Sequence, residues 1–383
     1  MRIKRWFSTY YQEVVLVLLS LVIFNRNMPS AANINPWTAT PWVVSYENGF
    51  VSRGLLGTIL SKLIPVVTLN NLHLVFTVVY LIFLLGLLIP LIIILRKVNR
   101  DDTLYKFMLF FILNPATVGM YANKPNFGRF DVFMILITII CLVVLSIKRH
   151  IWIIPVLMTL GMLIHEAFLF MYAPIILAAT LFSFFWNGKS KSILINFGVS
   201  AFTLLSSFLV LQLFGKAGNL ELSVFSEKIQ AHADFPIAKD MLNMEYYFST
   251  KEHISYVLEF LVRHNMVFGL IFALMILIPT FLLFKYAWSY VFKKYTSQRL
   301  VFMLLCLATA GPFILCTIGI DYGRWLSSFI FANFLIIFYL IYNKVIDIKE
   351  LSKRFSKSFY YIYLLIMIMY VMLGSMTELL EFI

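Results

Sequence analysis

Four short stretches carry the residue types that could do chemistry. Tyr46-Glu47-Asn48-Gly49 followed by Ser52-Arg53-Gly54 and Gly57 sets an acid, a base and three glycines ahead of an apolar segment. Glycine lets backbone approach a ligand closely, and an arginine beside a helix N-terminus suits phosphate. The simpler reading is a loop ion pair between Glu47 and Arg53. Lys124-Pro125-Asn126-Phe127-Gly128-Arg129-Phe130-Asp131 marks a hairpin tip, with Asp131 opening the next helix, where an acid complements the helix dipole. His165-Glu166 interrupts two apolar runs with almost no loop. Ionisable residues at membrane depth are costly and point to function by default. Asp321-Tyr322-Gly323-Arg324-Trp325 is a second minimal turn, where Asp321 either holds Arg324 or joins it on a ligand. The arginine fork fits phosphate bidentately.

These residues divide by chemistry. Glu47, Glu166, His165 and Asp131 are the candidate acid–base groups. Arg53, Lys124, Arg129, Asp321 and Arg324 are the candidate substrate-binding groups. No metal-ligand spacing is present, and the chemistry calls for no cofactor. Cys141, Cys306 and Cys316 all lie inside apolar runs and read as buried small hydrophobes.

The elements that must position them are those of a polytopic integral membrane protein. The 383-residue chain is 61% hydrophobic and 13% charged, against about 25% charged in soluble domains. Its net charge of +13 does not indicate nucleic acid, because Lys and Arg fall between apolar runs and form no patch. The lipid bilayer is the partner that composition demands.

Apolar runs occupy residues 11–24, 72–95, 104–119, 131–147, 151–164, 167–186, 193–214, 264–285, 300–319, 326–342 and 359–378. The expected fold class is therefore all-α, with about eleven transmembrane helices in a single domain over 1–383. Runs 104–119 and 151–164 are short and suit partial-depth hairpins. Arg2-Ile3-Lys4-Arg5 places the N-terminus in the cytoplasm, and roughly two thirds of the 31 Lys and Arg then fall in cytoplasmic segments. Pro29-Ser30-Ala31-Ala32 resembles a signal cleavage site, but an uncleaved anchor is the preferred reading.

All four stretches then face the extracytoplasmic side, along with two enlarged loops. Residues 25–71 hold a short amphipathic stretch, Leu55 to Val67, suited to the membrane interface. Residues 215–263 are polar, with helices expected near 220–232 and 236–248, and carry seven acids against five bases. Bases and acids on one face fit an anionic, partly lipidic substrate, such as a polyprenyl phosphate or pyrophosphate linked to a glycan.

With those residues in view, the chain resembles bacterial O-antigen and capsule repeat-unit polymerases of the Wzy type. The resemblance lies in architecture over the full length, and Arg53, Arg129 and Arg324 stand where that family carries outward-facing arginines. It implies polymerisation of repeat units from a polyprenyl-pyrophosphate carrier at the inner membrane, and it leaves room for a partner that regulates chain length. The chain is also similar to membrane glycosyltransferases of the GT-C fold, which place an acid in the first outer loop beside an interface helix. Glu47 ahead of Leu55–Val67 matches that order, although no paired acidic motif accompanies it. That resemblance implies transfer of one sugar from a polyprenyl monophosphate. A transporter or flippase of an anionic or lipid-linked solute is a third reading. It would call for charge along a path through the membrane, and the run interiors carry almost none.

Overall fold

The computed structural model describes residues 2–218, 220–263, 266–353, 361 and 363–368. The expected crossing over 359–378 therefore lies largely outside the described residues. The other apolar runs all fold as helices. α1 spans Arg2–Asn27, α2 Gly54–Leu63, α3 Leu69–Lys97, α4 Asp102–Leu113 and α5 Asp131–Ile147. α6 spans Ile153–Ile164, α7 Ala173–Trp186 and α8 Lys191–Phe214. α9 (Leu222–Gln230), α10 (Lys239–Tyr246) and α11 (Thr250–Arg263) follow in the second large loop. α12 is Met266–Ile276, α13 Ile278–Lys294, α14 Arg299–Ala308 and α15 Tyr322–Tyr342. Among the described residues there is no strand, only one parallel bridge between Val67 and Ala233.

Four described helical stretches are long and apolar enough to cross a membrane: α3, Asp102–Tyr121 (α4 with its following turn), α8 and α15. A fifth forms if α14 and the 3-10 stretch Gly311–Thr317, bent by 41°, count as one span. α5, α6 and α7 are apolar but shorter. Several runs break where proline removes a backbone donor and crowds the preceding turn. Pro174 and Pro279 each sit in the first turn of a new helix, α7 and α13, and Pro312 opens the Gly311–Thr317 stretch. Helix α11 is an addition to the sequence reading, which left that stretch as loop.

The exposed surface of α3 is an apolar stripe at helical spacing: Leu74, Val78, Ile82, Leu85, Ile89 and Ile93. α8 shows the same, with Ile195, Val199, Phe202, Leu205, Leu209 and Leu213 exposed. A water-facing helix would be polar there, and lipid accepts such a surface. α15 is the opposite case. Of its apolar window 89% is buried, against 22% for α8, so α15 is the central post and α8 lies at the periphery.

Contacts fix the two ends of the bundle. At one end Asn343, after α15, reaches Ser146 in the last turn of α5 at 3.3 Å, and Lys97 Nζ donates to the Tyr342 carbonyl at 3.0 Å. Glu13 of α1 pairs there with Arg96 (3.2 Å) and Arg100 (2.8 Å). α3, α5 and α15 therefore run side by side in one direction, and their N-termini meet at the other end. The two enlarged loops join one another over that end. Ser52 N–H donates to the Gly215 carbonyl (2.8 Å), Val67 N–H to His232 (2.8 Å) and Asp234 N–H to Val67 (2.9 Å). The Ala238 N–H adds a bond to Thr40 Oγ1 at 2.9 Å.

Candidate functional site

Arg53 ends the turn before α2 in a left-handed conformation, φ 61°. The helix behind it crosses the first loop closely. A Cβ on Gly57 would lie 1.9 Å from the Val44 carbonyl oxygen, so only glycine lets α2 dock there. Thr58 Oγ1 accepts the Tyr46 N–H at 2.8 Å, which ties the Tyr46–Asn48 turn to the same helix. The side chain of Arg53 then leaves its own loop. Its Nε donates to Glu166 at 3.0 and 3.2 Å, Nη2 adds a further bond to Glu166 Oε1, and Nη2 also meets Glu245 Oε2 at 2.6 Å.

Arg129 sits on a turn with its own architecture. Phe127 N–H returns to the Asn123 carbonyl at 2.8 Å and Arg129 N–H to Asn126 at 3.0 Å. Asn126 Nδ2 closes the turn on Asn123 Oδ1 at 3.0 Å. Gly128 has φ +95°, and a Cβ there would strike the Phe76 ring at 2.1 Å. Trp42 Nε1 donates to the Gly128 carbonyl at 2.6 Å, so the first loop also braces this turn. From it Arg129 Nη1 reaches Asp321 Oδ2 at 3.2 Å.

Asp321 is shared. Its Oδ2 accepts from Arg324 Nη1 at 2.5 Å as well, and Arg324 turns its remaining edge to Asp131, with Nη2 at 3.0 and 3.2 Å from the two carboxylate oxygens. Asp131 is fully buried and Arg324 is 5% exposed, whereas Asp321 is 35% exposed. The guanidinium of Arg324 also lies 5.0 Å from the Trp325 ring centre, a cation–π distance.

The four stretches thus converge on one ionic network of three arginines and four carboxylates. Arg53 lies within electrostatic reach of Asp321, Arg129 and Arg324. Burial works to raise the Glu166 carboxyl, but the Arg53 guanidinium outweighs it and holds it well below the ordinary range. The same contest at Asp321, burial against Arg129 and Arg324, brings its carboxyl down to about 2. Both are anions at neutral pH. His165 accepts the Ala167 N–H on Nδ1 at 3.2 Å, which leaves Nε2 as the ring's donor; Glu166 Oε2 is 3.6 Å from Nδ1, beyond a hydrogen bond.

Two predicted site residues stand apart from this network. Glu47 does not pair with Arg53. Its side chain is 55% exposed, and His232 Nε2 lies 3.8 Å from its carboxylate. Lys124 is exposed at the hairpin tip. Glu245 was not singled out in the sequence, where it is one of seven acids in a polar loop. It arrives at the end of α10, where Tyr246 Oη donates to the Ser52 carbonyl at 2.9 Å and Lys216 Nζ holds the carbonyls of Glu245 (3.2 Å) and Phe248 (3.0 Å). His253 of α11 lies within electrostatic reach of Glu245, Lys216 and Arg53, and burial lowers its ring below the usual histidine value.

Buried hydroxyls lie below the network. Tyr121, Tyr172 and Ser328 face one another near Asp131 and Arg324, with their hydroxyls buried. Among the described residues no group of three His, Cys, Asp or Glu side chains is placed to hold a metal ion. Searches of family models, curated proteins and solved structures return no match to this chain.

Proposed function

We propose that the protein transfers glycosyl units at a membrane surface from a polyprenyl-(pyro)phosphate-linked donor, and that its product is an O-antigen or capsule polymer. The observation that carries this reading is the convergence of Arg53, Arg129 and Arg324, from three separate segments, on one end of an apolar helix bundle. Leaving phosphate needs positive charge where it departs, and an acceptor hydroxyl needs a base. Lipid-facing stripes such as that of α3 suit a substrate whose tail stays in the bilayer. In this reading the short apolar helices also cross, giving about eleven spans with the N-terminus cytoplasmic and the ionic network on the extracytoplasmic side of a bacterial inner membrane.

The network divides the roles. Arg53 and Arg129 have partly exposed partners and would meet phosphate, whereas Arg324 locks Asp131. Among the described residues no arginine pairs with the Glu47 carboxylate, which is the base of first choice; Glu166 serves only once released from Arg53. A single-sugar transfer of the GT-C kind is favoured by one feature, the exposed Glu47 directly ahead of α2, whose Ile59 and Leu63 are exposed and suited to the interface.

The test is the surface glycan of the host with the gene deleted and complemented by variants, resolved as a ladder. Collapse to a single capped repeat, restored by wild type and not by Arg53→Ala, supports polymerisation. A ladder that keeps its spacing but loses a branch sugar supports single-sugar transfer. An unchanged ladder removes both. Glu47→Gln and Glu166→Gln, compared in the same assay, identify the base.

A further inference from the structure

The carboxylates on Arg53 are held unequally. Glu166 takes both Nε and Nη2, while Glu245 touches one nitrogen through one oxygen, at 2.6 Å. Glu245 is also the partner that comes from the second large loop, whereas Glu166 is fixed between two helices. The other charged and titratable groups near it are Lys216 after α8, whose Nζ is held by the Glu245 and Phe248 carbonyls, His253 on α11, Tyr246 beside it, and Glu252, within electrostatic reach of Lys216 and His253. With the Glu245 carboxylate turned away, Glu166 would be the one carboxylate left on Arg53 among the described residues. One further polar atom of the first loop, Tyr46 Oη, is buried without a partner among the described residues, and Tyr46 lies within electrostatic reach of Tyr246. A buried donor left unpaired is costly unless a ligand or water completes it.

We propose that the Glu245 carboxylate occupies the seat of a phosphoryl group, which enters by exchange with it. Arg53 then holds the phosphoryl oxygens, with Lys216, His253 and the Tyr46 hydroxyl at the rim, while Glu166 stays on Arg53. This rests on the reading above that the substrate carries a phosphate. No bond is made or broken in the exchange; one anion replaces another. The phosphoryl group could be free or belong to a lipid, and the ligands below separate the two.

The experiment uses the full-length protein purified in detergent, with inorganic phosphate and farnesyl phosphate as ligands in direct binding titrations. Glu245→Gln removes the competing charge and keeps the side chain's size, and should bind about tenfold tighter than wild type. Arg53→Ala, alone or added to Glu245→Gln, should bind neither ligand measurably. Equal tightening for both ligands means that the seat reads the phosphoryl group alone, and tightening for farnesyl phosphate only means that it needs the lipid. Unchanged affinity in a Glu245→Gln protein that melts like wild type overturns the proposal, as does persistence of the gain without Arg53. Glu245→Asp, too short to reach Arg53, is the second variant, and should also bind more tightly. Binding is read without any glycan, so a tightened seat beside an unaltered surface polymer would leave the seat standing and remove the glycan-transfer reading.

Discussion

Arg324 with Asp131 and Arg53 with Glu166 and Glu245 are both arginine–carboxylate clusters in one network, yet they sit in different solvents. The Arg324–Asp131 pair is enclosed, bidentate and braced by Trp325; the second cluster has glutamates that are 24% exposed and an arginine that is itself 14% exposed. Charge taken fully out of water is locked to its partner, because separation strands an ion. Charge at a partly open edge can change partners. The enclosed pair therefore reads as scaffold and the open one as machinery.

The largest expected effect comes from breaking the enclosed pair. Asp131→Ala leaves a buried guanidinium short of its main acceptor and should cost about 3–5 kcal/mol, seen as loss of accumulation or a lower melting temperature in detergent. Asp131→Leu with Arg324→Met should recover most of that loss, which would sharpen the contrast. A double variant as unstable as the single one would show that the pair does more than fill space.

Arg53→Ala should behave in the reverse way. Transfer should drop by about 100-fold or more, as for the loss of one group stabilising a developing charge. Stability should fall by only about 1–2 kcal/mol, because water reaches the two glutamates it leaves. Measuring turnover and melting on the same preparation separates the two regions directly. Equal losses of stability in Arg53→Ala and Asp131→Ala would break the comparison.

Gly57→Ala touches no charged atom. Its Cβ must displace the Val44 carbonyl, so α2 shifts and carries Arg53 with it. Roughly 1–3 kcal/mol of overpacking is expected, with transfer reduced and the Arg324–Asp131 pair intact. The smallest effect is a pH dependence. Asp321 is held below its ordinary 3.8 at about 2, so the unfolded chain binds more protons there in between. Its contribution is present above about 4 and fades as pH falls through about 2. Asp321→Asn should flatten that part of an acid stability curve.

Much of the fold is legible in the sequence because lipid-facing helices write their length in apolar runs. α5 and α6 begin and end within two residues of the runs that announce them, and α9 and α10 lie inside their expected ranges. The breaks at Pro174, Pro279 and Pro312 were present as residues but overlooked within continuous hydropathy. α11 was missed for the opposite reason, since a polar amphipathic helix lacks the run that marks the others. For the site, residue type and location were readable, but pairing was not. Glu47 lies six positions from Arg53 and is not its partner, whereas Glu166 lies 113 positions away and is. Local spacing cannot announce a contact that tertiary folding makes. Nothing in its neighbourhood distinguishes Glu245 from the other loop acids.

The Asp131–Arg324 pair spans 193 positions of chain, and this separates its two halves in time as well as in sequence. Synthesis runs from the N-terminus at about 5–20 residues per second, so Asp131 waits roughly 10–40 seconds for its arginine. Throughout that interval a carboxyl group heads an otherwise apolar helix without the arginine that encloses it, a costly state at membrane depth. α5 must be kept near water, or in company, until α15 arrives. A ribosome stalled before residue 324 would hold a chain in which this helix is marked as unfinished, the kind of exposed defect that membrane quality control can read.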